Sequence, residues 1–368
     1  MNATANRKDL ADTVGAVLGF ATRTGSMPIL STVLLSADES TGILVSATDL
    51  EIGATADCEA VVSQPGKVAV TAKMLYAVLK SLPDETVELA DEGATLVLKS
   101  GASEFKLATQ NADDFPGLPS AAEVAFSDIS APLLADMLGR VGFAVSTDES
   151  RYMLNGVHLE TRPGRLFAAA TDGHRLAQVE REGEFPAELP ANGITIPRRA
   201  AAELLKVMER VEGEVGIGLH KNSLYLRAPG LTMSARLIDG EFPDPNAVIP
   251  ESTTREAIID TEFLVAALKR ASVLSQDKAW GIRFDLKGDG LEINSSNPNV
   301  GDAHDKLDLA EYRGEPLNIG FNPRYVLDAL SVIDCEHVRV RFDDELRPCI
   351  VQAAEDDGYL CVVMPMRI

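Results

Sequence analysis

Apolar residues recur along this chain in two periods, one helical and one strand-like, and the order in which they alternate repeats. The segment TAKMLYAVLKSLP at 71–83 places Leu75, Leu79 and Leu82 at i, i+4 and i+7, the stripe of an amphipathic helix. The same stripe returns as Ala201, Leu205 and Met208 in PRRAAAELLKVMER and as Val326, Leu330 and Ile333 in NPRYVLDALSVID, at steps of 126 and 125 residues. A second helix set carries Leu10, Val14 and Val17, then Leu134, Leu138 and Val141, then Leu264, Leu268 and Ala271, at steps of 124 and 130 residues. Strand-like runs lie between the helices: ILSTVLLS and GILVSATDLEIGA, then MLNGVHLE and RLFAAATDGHRLAQV, then GIRFDLK and GLEINSS. Each third therefore reads helix, strands, helix, strands. Two linkers rich in Pro, Gly and acids, ADDFPGLPSAAE at 112–123 and DGEFPDPNAVIPEST at 239–253, are each built round Phe-Pro and separate the thirds. The pattern predicts an α+β protein of three similar helix and antiparallel-sheet domains, at 1–121, 127–246 and 247–368.

At 368 residues, with 45% apolar and 24% charged positions, the composition is that of a globular protein of two or three domains. The N-terminus MNATANRKDL has no apolar leader and no apolar run approaches bilayer length, so a cytoplasmic protein without membrane contact is expected. The four cysteines, Cys58, Cys335, Cys349 and Cys361, form no C-x-x-C pair and read as reduced, small apolar residues.

The net charge of -22 argues against nucleic acid as a partner unless charge is segregated. It is. The six helical segments, 7–20, 71–83, 130–146, 197–210, 260–275 and 322–334, contain 12 Lys/Arg and 9 Asp/Glu, so the excess acid lies elsewhere. The second helices contribute Lys73 and Lys80, then Arg198, Arg199, Lys206 and Arg210, then Arg324. On one shared face these would attract phosphate while the acidic remainder repels it; on separate faces they are ordinary solvated charges. No GxGxxG, Walker sequence, HExxH or zinc finger occurs, so no cofactor is expected and any DNA contact should be to backbone, without base readout.

The stretch AATDGHRLA at 169–177 gathers Asp172, His174 and Arg175 within four positions. His174 could act as a general base oriented by Asp172, but the sequence places no Ser, Cys or Lys nucleophile beside it. The remaining histidines, His158, His220, His304 and His337, have no metal-ligand spacing. Asp172-Gly173 reads better as a turn in which the carboxylate bonds backbone and Gly supplies the unusual φ. On the residues alone, a hydrolase and a peptide-binding repeat scaffold both stay open.

Threefold repetition together with MPILSTVLL at 27–35, SATDLEIGA at 46–54, RYMLNGVHLE at 151–160, ATDGHRLA at 170–177, LIDGEFPD at 237–244, GFNPRYVLDAL at 320–330 and the terminal VVMPMRI resembles the bacterial DNA polymerase III beta subunit, the sliding-clamp family. The resemblance covers the whole chain in order. It implies that each chain is half of a pseudo-sixfold ring, helices inside and sheets outside, formed by a homodimer round duplex DNA. It further implies a non-enzymatic processivity factor, loaded by an ATP-driven loader, that tethers polymerase, clamp loader and repair proteins by short peptides.

The resemblance points to a peptide pocket of Leu154, Thr171, Gly173, His174, Arg175, Leu176, Pro243, Val248, Asn322, Tyr325, Pro348, Val362, Val363, Met364, Pro365, Met366 and Arg367. Ala247 stands where some members carry a larger wall, and Ala279 and Trp280 lie beside the expected groove. For DNA the resemblance points to Arg23 or Thr24, Tyr152, Met153, Arg198 and Arg199; for the dimer interface, to Phe105 and Leu107 against Val273 and Leu274. Core packing is the alternative role for each.

Overall fold

The computed structural model describes every residue except 23–26, 184–189, 191, 275–280, 289, 357 and 368. Among the described residues, six copies of one motif, strand–helix–three strands, follow each other, two per domain. The first domain holds β1 (Asn2–Asn6), α1 (Arg7–Val17), β2 (Thr32–Asp38), β3 (Gly42–Thr48) and β4 (Ile52–Cys58), an added strand β5 (Ala60–Gln64), then β6 (Gly66–Thr71), α2 (Ala72–Ser81), β7 (Thr86–Asp91), β8 (Thr95–Ser100) and β9 (Ser103–Gln110). The second holds β10 (Ser127–Ser130), α3 (Ala131–Val141), β11 (Gly156–Arg162), β12 (Arg165–Thr171) and β13 (Arg175–Glu182), then β14 (Ile194–Pro197), α4 (Arg198–Met208), β15 (Glu214–His220), β16 (Ser223–Ala228) and β17 (Leu231–Arg236). The third holds β18 (Arg255–Asp260), α5 (Thr261–Ser272), β19 (Ile282–Lys287), β20 (Gly290–Asn297) and β21 (Gly301–Asp308), a short β22 (Glu311–Arg313), then β23 (Leu317–Phe321), α6 (Pro323–Leu330), β24 (His337–Phe342), β25 (Cys349–Ala353) and β26 (Tyr359–Val363).

The helices form where apolar spacing and caps agree. Asn6 accepts from the amides of Lys8 and Asp9 at the start of α1, Asp260 caps α5, and Asn322 caps α6 with Pro323 in the first turn. Leu10, Val14, Val17, Leu75, Leu79, Leu134, Leu138, Val141, Leu264, Leu268, Ala271, Val326 and Leu330 are all buried, as the stripes require. In α4 the buried set is Ala200, Ala201, Leu204 and Met208, so Leu204 replaces the expected Leu205, which is half-buried. Both leucines satisfy a helical period, and only tertiary packing selects between them.

Within each domain the two motifs pair by one antiparallel rule. The first strand of one motif joins the strand after the helix of the other: β1 with β7, β10 with β15, β18 with β24. The strand after the first helix joins the first strand of the second motif: β2 with β6, β11 with β14, β19 with β23. Equivalent positions carry equivalent packing. Leu34 faces Ala69, and Phe115 of the first linker packs over them with Ile29 and Leu30. His158 faces Thr195, and Phe242 of the second linker stacks on its ring at 4.9 Å between centroids and 7° between planes.

Sheets also run across the domain boundaries. β4 pairs β17 from Ile52↔Ala235 to Ala56↔Leu231, and β13 pairs β26 from Arg175↔Val363 to Val179↔Tyr359. These joins cut the central domain in two. One compact unit contains Met1–Leu134 with Ala202–Leu237, and the other contains the remaining described residues.

Several expected strands differ in detail. The run at 29–36 begins as a 3-10 turn over Pro28–Ser31, because Pro28 sits in its first turn and fixes φ. The runs 42–54 and 165–179 are each two strands folded back at residues 49–51 and 172–174. MLNGVHLE starts in a 3-10 stretch, Glu149–Leu154, and becomes strand only at Gly156.

Candidate functional site

The turn between β12 and β13 is built by its own side chains. Thr171 Oγ1 donates to the Arg175 carbonyl at 2.7 Å and accepts from the Gly173 amide at 3.1 Å. Asp172 Oδ1 accepts from the amides of His174 and Arg175 at 2.9 and 3.1 Å. Gly173 sits at φ +86°, a conformation that costs an L side chain energy. Asp-Gly therefore makes the turn that the sequence suggests. The Asp172 carboxylate is engaged by two backbone amides and by Arg175 Nε at 3.0 Å, and the His174 ring instead stacks on Tyr325 with centroids 6.1 Å apart.

Arg175 is the hub of the site. Its guanidinium is buried, bonds Asp172 Oδ2, Asp328 Oδ2 at 2.6 Å and the Phe143 carbonyl at 2.9 Å, and lies 4.7 Å from the Tyr325 ring centroid. Burial works against its charge, but Asp328 and Asp172 outweigh that and raise its pKa further. Tyr325 is itself pushed up by burial, so its hydroxyl stays protonated at neutral pH. Neither Asp328 nor Phe143 was expected in the site. Asp328 lies three residues after Tyr325 on α6, hence on the same helix face, which is the signal that could have found it.

The C-terminal segment completes the walls. Beyond β26, the Met364 amide donates to the His174 carbonyl and the Met366 amide to the Gly320 carbonyl, both at 2.9 Å. This lays residues 364–366 between the turn and the strand leading to Asn322 and Tyr325. The expected pocket residues divide by depth. Leu176, Val362 and Val363 are 2%, 1% and 0% exposed; Leu176 and Val362 share a core cluster with Phe167 and Ala169, onto which Phe242, Ile249 and Leu360 pack.

Two surface cavities flank this floor. One of about 860 Å3 is lined by Ser150–Leu154 and Glu241–Asp244, and so takes in Tyr152, Met153, Leu154 and Pro243. The other, about 530 Å3, is lined by Ala247–Ser252, Arg347, Pro348 and Met364, and so takes in Val248, Pro348 and Met364. Exposed Val248 (46%) and Met364 (37%) offer apolar surface there. Arg367 is exposed beside the half-buried Pro365 and Met366.

The described residues expected to meet DNA or a second chain are exposed or half-buried. Lys73 and Lys80 on α2, Arg198 and Arg199 at the start of α4, Lys206, Arg210 and Tyr152 are exposed, and Lys206 pairs with Glu203 at 2.6 Å. Phe105 is 37% and Val273 60% exposed, with Leu107 and Leu274 half-buried. Arg23, Thr24, Ala279 and Trp280 lie outside the described residues. Cys58, Cys349 and Cys361 are buried, and burial pushes the Cys58 and Cys361 thiols up to about 11 and about 12, which keeps them unreactive.

Comparison with known proteins agrees along the entire length. The profiles described as the N-terminal, central and C-terminal domains of the DNA polymerase III beta subunit match residues 1–119, 128–244 and 246–367. The beta sliding clamp of Pseudomonas aeruginosa is 34% identical over 372 residues and that of Bacillus subtilis 30% over 377, each alignment covering 100% of both chains. Among solved structures, the Thermotoga maritima beta subunit superposes with a TM-score of 0.92 at 29% identity, covering 100% of this chain and 99% of that one. The Pseudomonas aeruginosa subunit superposes with 0.89 at 33% identity and complete coverage of both. With three repeated domains, sheets joined across their boundaries and full-length similarity to these proteins, the chain belongs to the DNA polymerase III beta subunit family, the beta sliding clamps.

Proposed function

We propose that two copies of this chain close head to tail into a ring round duplex DNA, helices inside and sheets outside, which tethers the replicative polymerase, the clamp loader and other peptide-bearing partners at the site around Thr171–Arg175. The supporting observation is the rule by which sheet edges join. Inside the chain, the last strand of a domain's first motif joins the last strand of the next domain's second motif: β4 with β17, then β13 with β26. The rule leaves two strands over. β21 pairs only with β20, and β9 pairs with β8 and, at its far end alone, with β6, so among the described residues 103–108 and 301–308 present open outer edges. The same join made between copies uses both of these edges, and two such joins close the assembly. Phe105 and Leu107 of one copy would then pack against Val273 and Leu274 of the other.

The domains of this reading are 1–121, 127–246 and 247–368. A closed ring needs little affinity for DNA, since it leaves only by opening or at an end. Lys73, Lys80, Arg198, Arg199, Lys206, Arg210 and Tyr152 supply weak, sequence-blind contacts to the DNA backbone that permit sliding, and Arg23 belongs to the same set. Met364 and Val248 supply adaptable apolar surface for partner peptides of differing sequence. The chain works in the cytoplasm as an accessory subunit, with no cofactor and no catalytic group of its own.

Retention on DNA tests the proposal. After loading with the clamp loader, the protein should stay on closed circles and be lost from the same DNA once linearised, as it slides off the ends; equal loss from both rejects topological linkage.

A further inference from the structure

The first domain junction repeats the frame of the site at the second. Between β3 and β4, Thr48 Oγ1 donates to the Ile52 carbonyl at 2.8 Å and accepts from the Leu50 amide at 3.0 Å. Asp49 Oδ1 accepts from the amides of Glu51 and Ile52 at 2.9 and 2.7 Å. These are the four bonds of the Thr171–Arg175 turn, and Leu50 takes φ +82° where Gly173 takes +86°. The neighbouring strand continues alike: the Arg236 amide donates to the Glu51 carbonyl at 2.9 Å, as Met364 does to His174.

The side chains on this frame differ. At the second junction Leu176 faces Val362, and both are buried. At the first, Gly53 faces Ser234, so one apolar side chain is missing and the other is replaced by a hydroxyl. Leu118 of the first linker fills the gap, since a Cβ added at Gly53 would fall inside its side chain. Leu118 is half-buried between exposed Gly117 and Pro119, and Phe115 anchors the linker in the core three residues earlier. Beyond Pro119 a cavity of about 270 Å3 remains open, lined in part by Leu50, Ile52 and Arg236.

We propose that the first junction is a second peptide-docking site that accepts a leucine side chain from a short extended segment, and that Leu118 of the chain's own linker occupies it. An external peptide is thereby excluded from the first junction while the second stays open. The proposal rests on the reading of the second junction as a peptide site, whose turn the first junction repeats, and is independent of ring closure; the Leu118 and Gly53 variants read probe binding at the first junction directly, so its failure is distinguishable from a failure of docking at the second.

The probe is a fluorescent peptide of residues 112–121, ADDFPGLPSA, followed by anisotropy. The Leu118→Ala chain should bind it at least about tenfold more tightly than the natural chain, because deleting the resident leucine frees apolar surface that the probe can cover. The same peptide with alanine in place of its leucine should lose that gain, and so should a Gly53→Leu/Leu118→Ala chain, whose gap is filled again. Equal binding by natural and Leu118→Ala chains, with cooperative melting retained, overturns the proposal, as does survival of binding in the double variant. Should Leu118→Ala fail to fold, the milder Leu118→Val serves: it should still bind the probe more tightly than the natural chain, and equal binding overturns the proposal.

Discussion

Arg175 Nη1 lies 2.6 Å from Asp328 Oδ2, an ion pair between the turn after β12 and helix α6 that is 8% exposed on the arginine side. Asp172 Oδ2 accepts from Nε and the Phe143 carbonyl from Nη2 of the same guanidinium, and the Phe143 and Tyr325 rings lie 5.2 and 4.7 Å from its carbon. Replacing Arg175 with Ala removes one donor from each of two carboxylates and from a carbonyl. The expected loss is roughly 3–5 kcal/mol of unfolding free energy. Arg175→Lys should recover only part, because an ammonium cannot serve three acceptors as a planar fork does. Denaturant unfolding checks this, and a loss below about 1 kcal/mol for Arg175→Ala would contradict it.

The paired turns give substitutions of opposite sign. Gly173→Ala puts a side chain at φ +86° and brings its Cβ to 2.7 Å from Arg151 Nη1, so a loss of about 1 kcal/mol or more is expected. Leu50 already bears that strain at φ +82° and is 56% exposed, so Leu50→Gly should relieve about 1 kcal/mol while giving up little packing. Thermal midpoints should fall for the first and rise for the second; two falls of similar size would contradict the shared-turn geometry.

His158 makes part of the stability depend on pH. Burial lowers its pKa, against the opposing pull of Glu160, while Thr195 lies 3.3 Å from Nδ1 and Phe242 stacks on the ring. The folded chain thus holds the neutral ring, whereas the unfolded chain takes up a proton at about pH 6.5. Between the folded and unfolded values the unfolded state binds more protons, so stability falls as pH drops through about 6.5 and the loss levels off below the folded value. His158→Leu, which copies Leu34 of the first domain, should flatten this slope. Unfolding midpoints between about pH 7.5 and 6 decide, with equal slopes in both proteins counting against His158.

Local chemistry was readable from sequence and long-range choice was not. The stripes at Leu10, Val14, Val17 and at Leu264, Leu268, Ala271 mark helices because an apolar face must recur at the helical period, and all six residues are buried. The Asp172-Gly173 turn is equally local, since a carboxylate and a glycine suffice to specify it. β1 escaped notice because its inward residues are Ala3 and Ala5, too small to stand out as an apolar alternation. Asp328, 153 residues from Arg175, and Leu118, set against Gly53, were invisible because nothing local announces such partners. Phe115 and Phe242 were visible only as parts of linkers. Their core role emerges from the matched pairs beneath them, Leu34 with Ala69 and His158 with Thr195.

Amide hydrogen exchange at residues 103–108 of β9 and 301–308 of β21, followed from nanomolar to micromolar protein, measures whether these two open edges meet in a second copy. Both segments should slow together, by about tenfold or more, over one concentration range, with other exposed edges unaffected. Exchange that is independent of concentration, or that slows at one segment alone, would contradict head-to-tail closure.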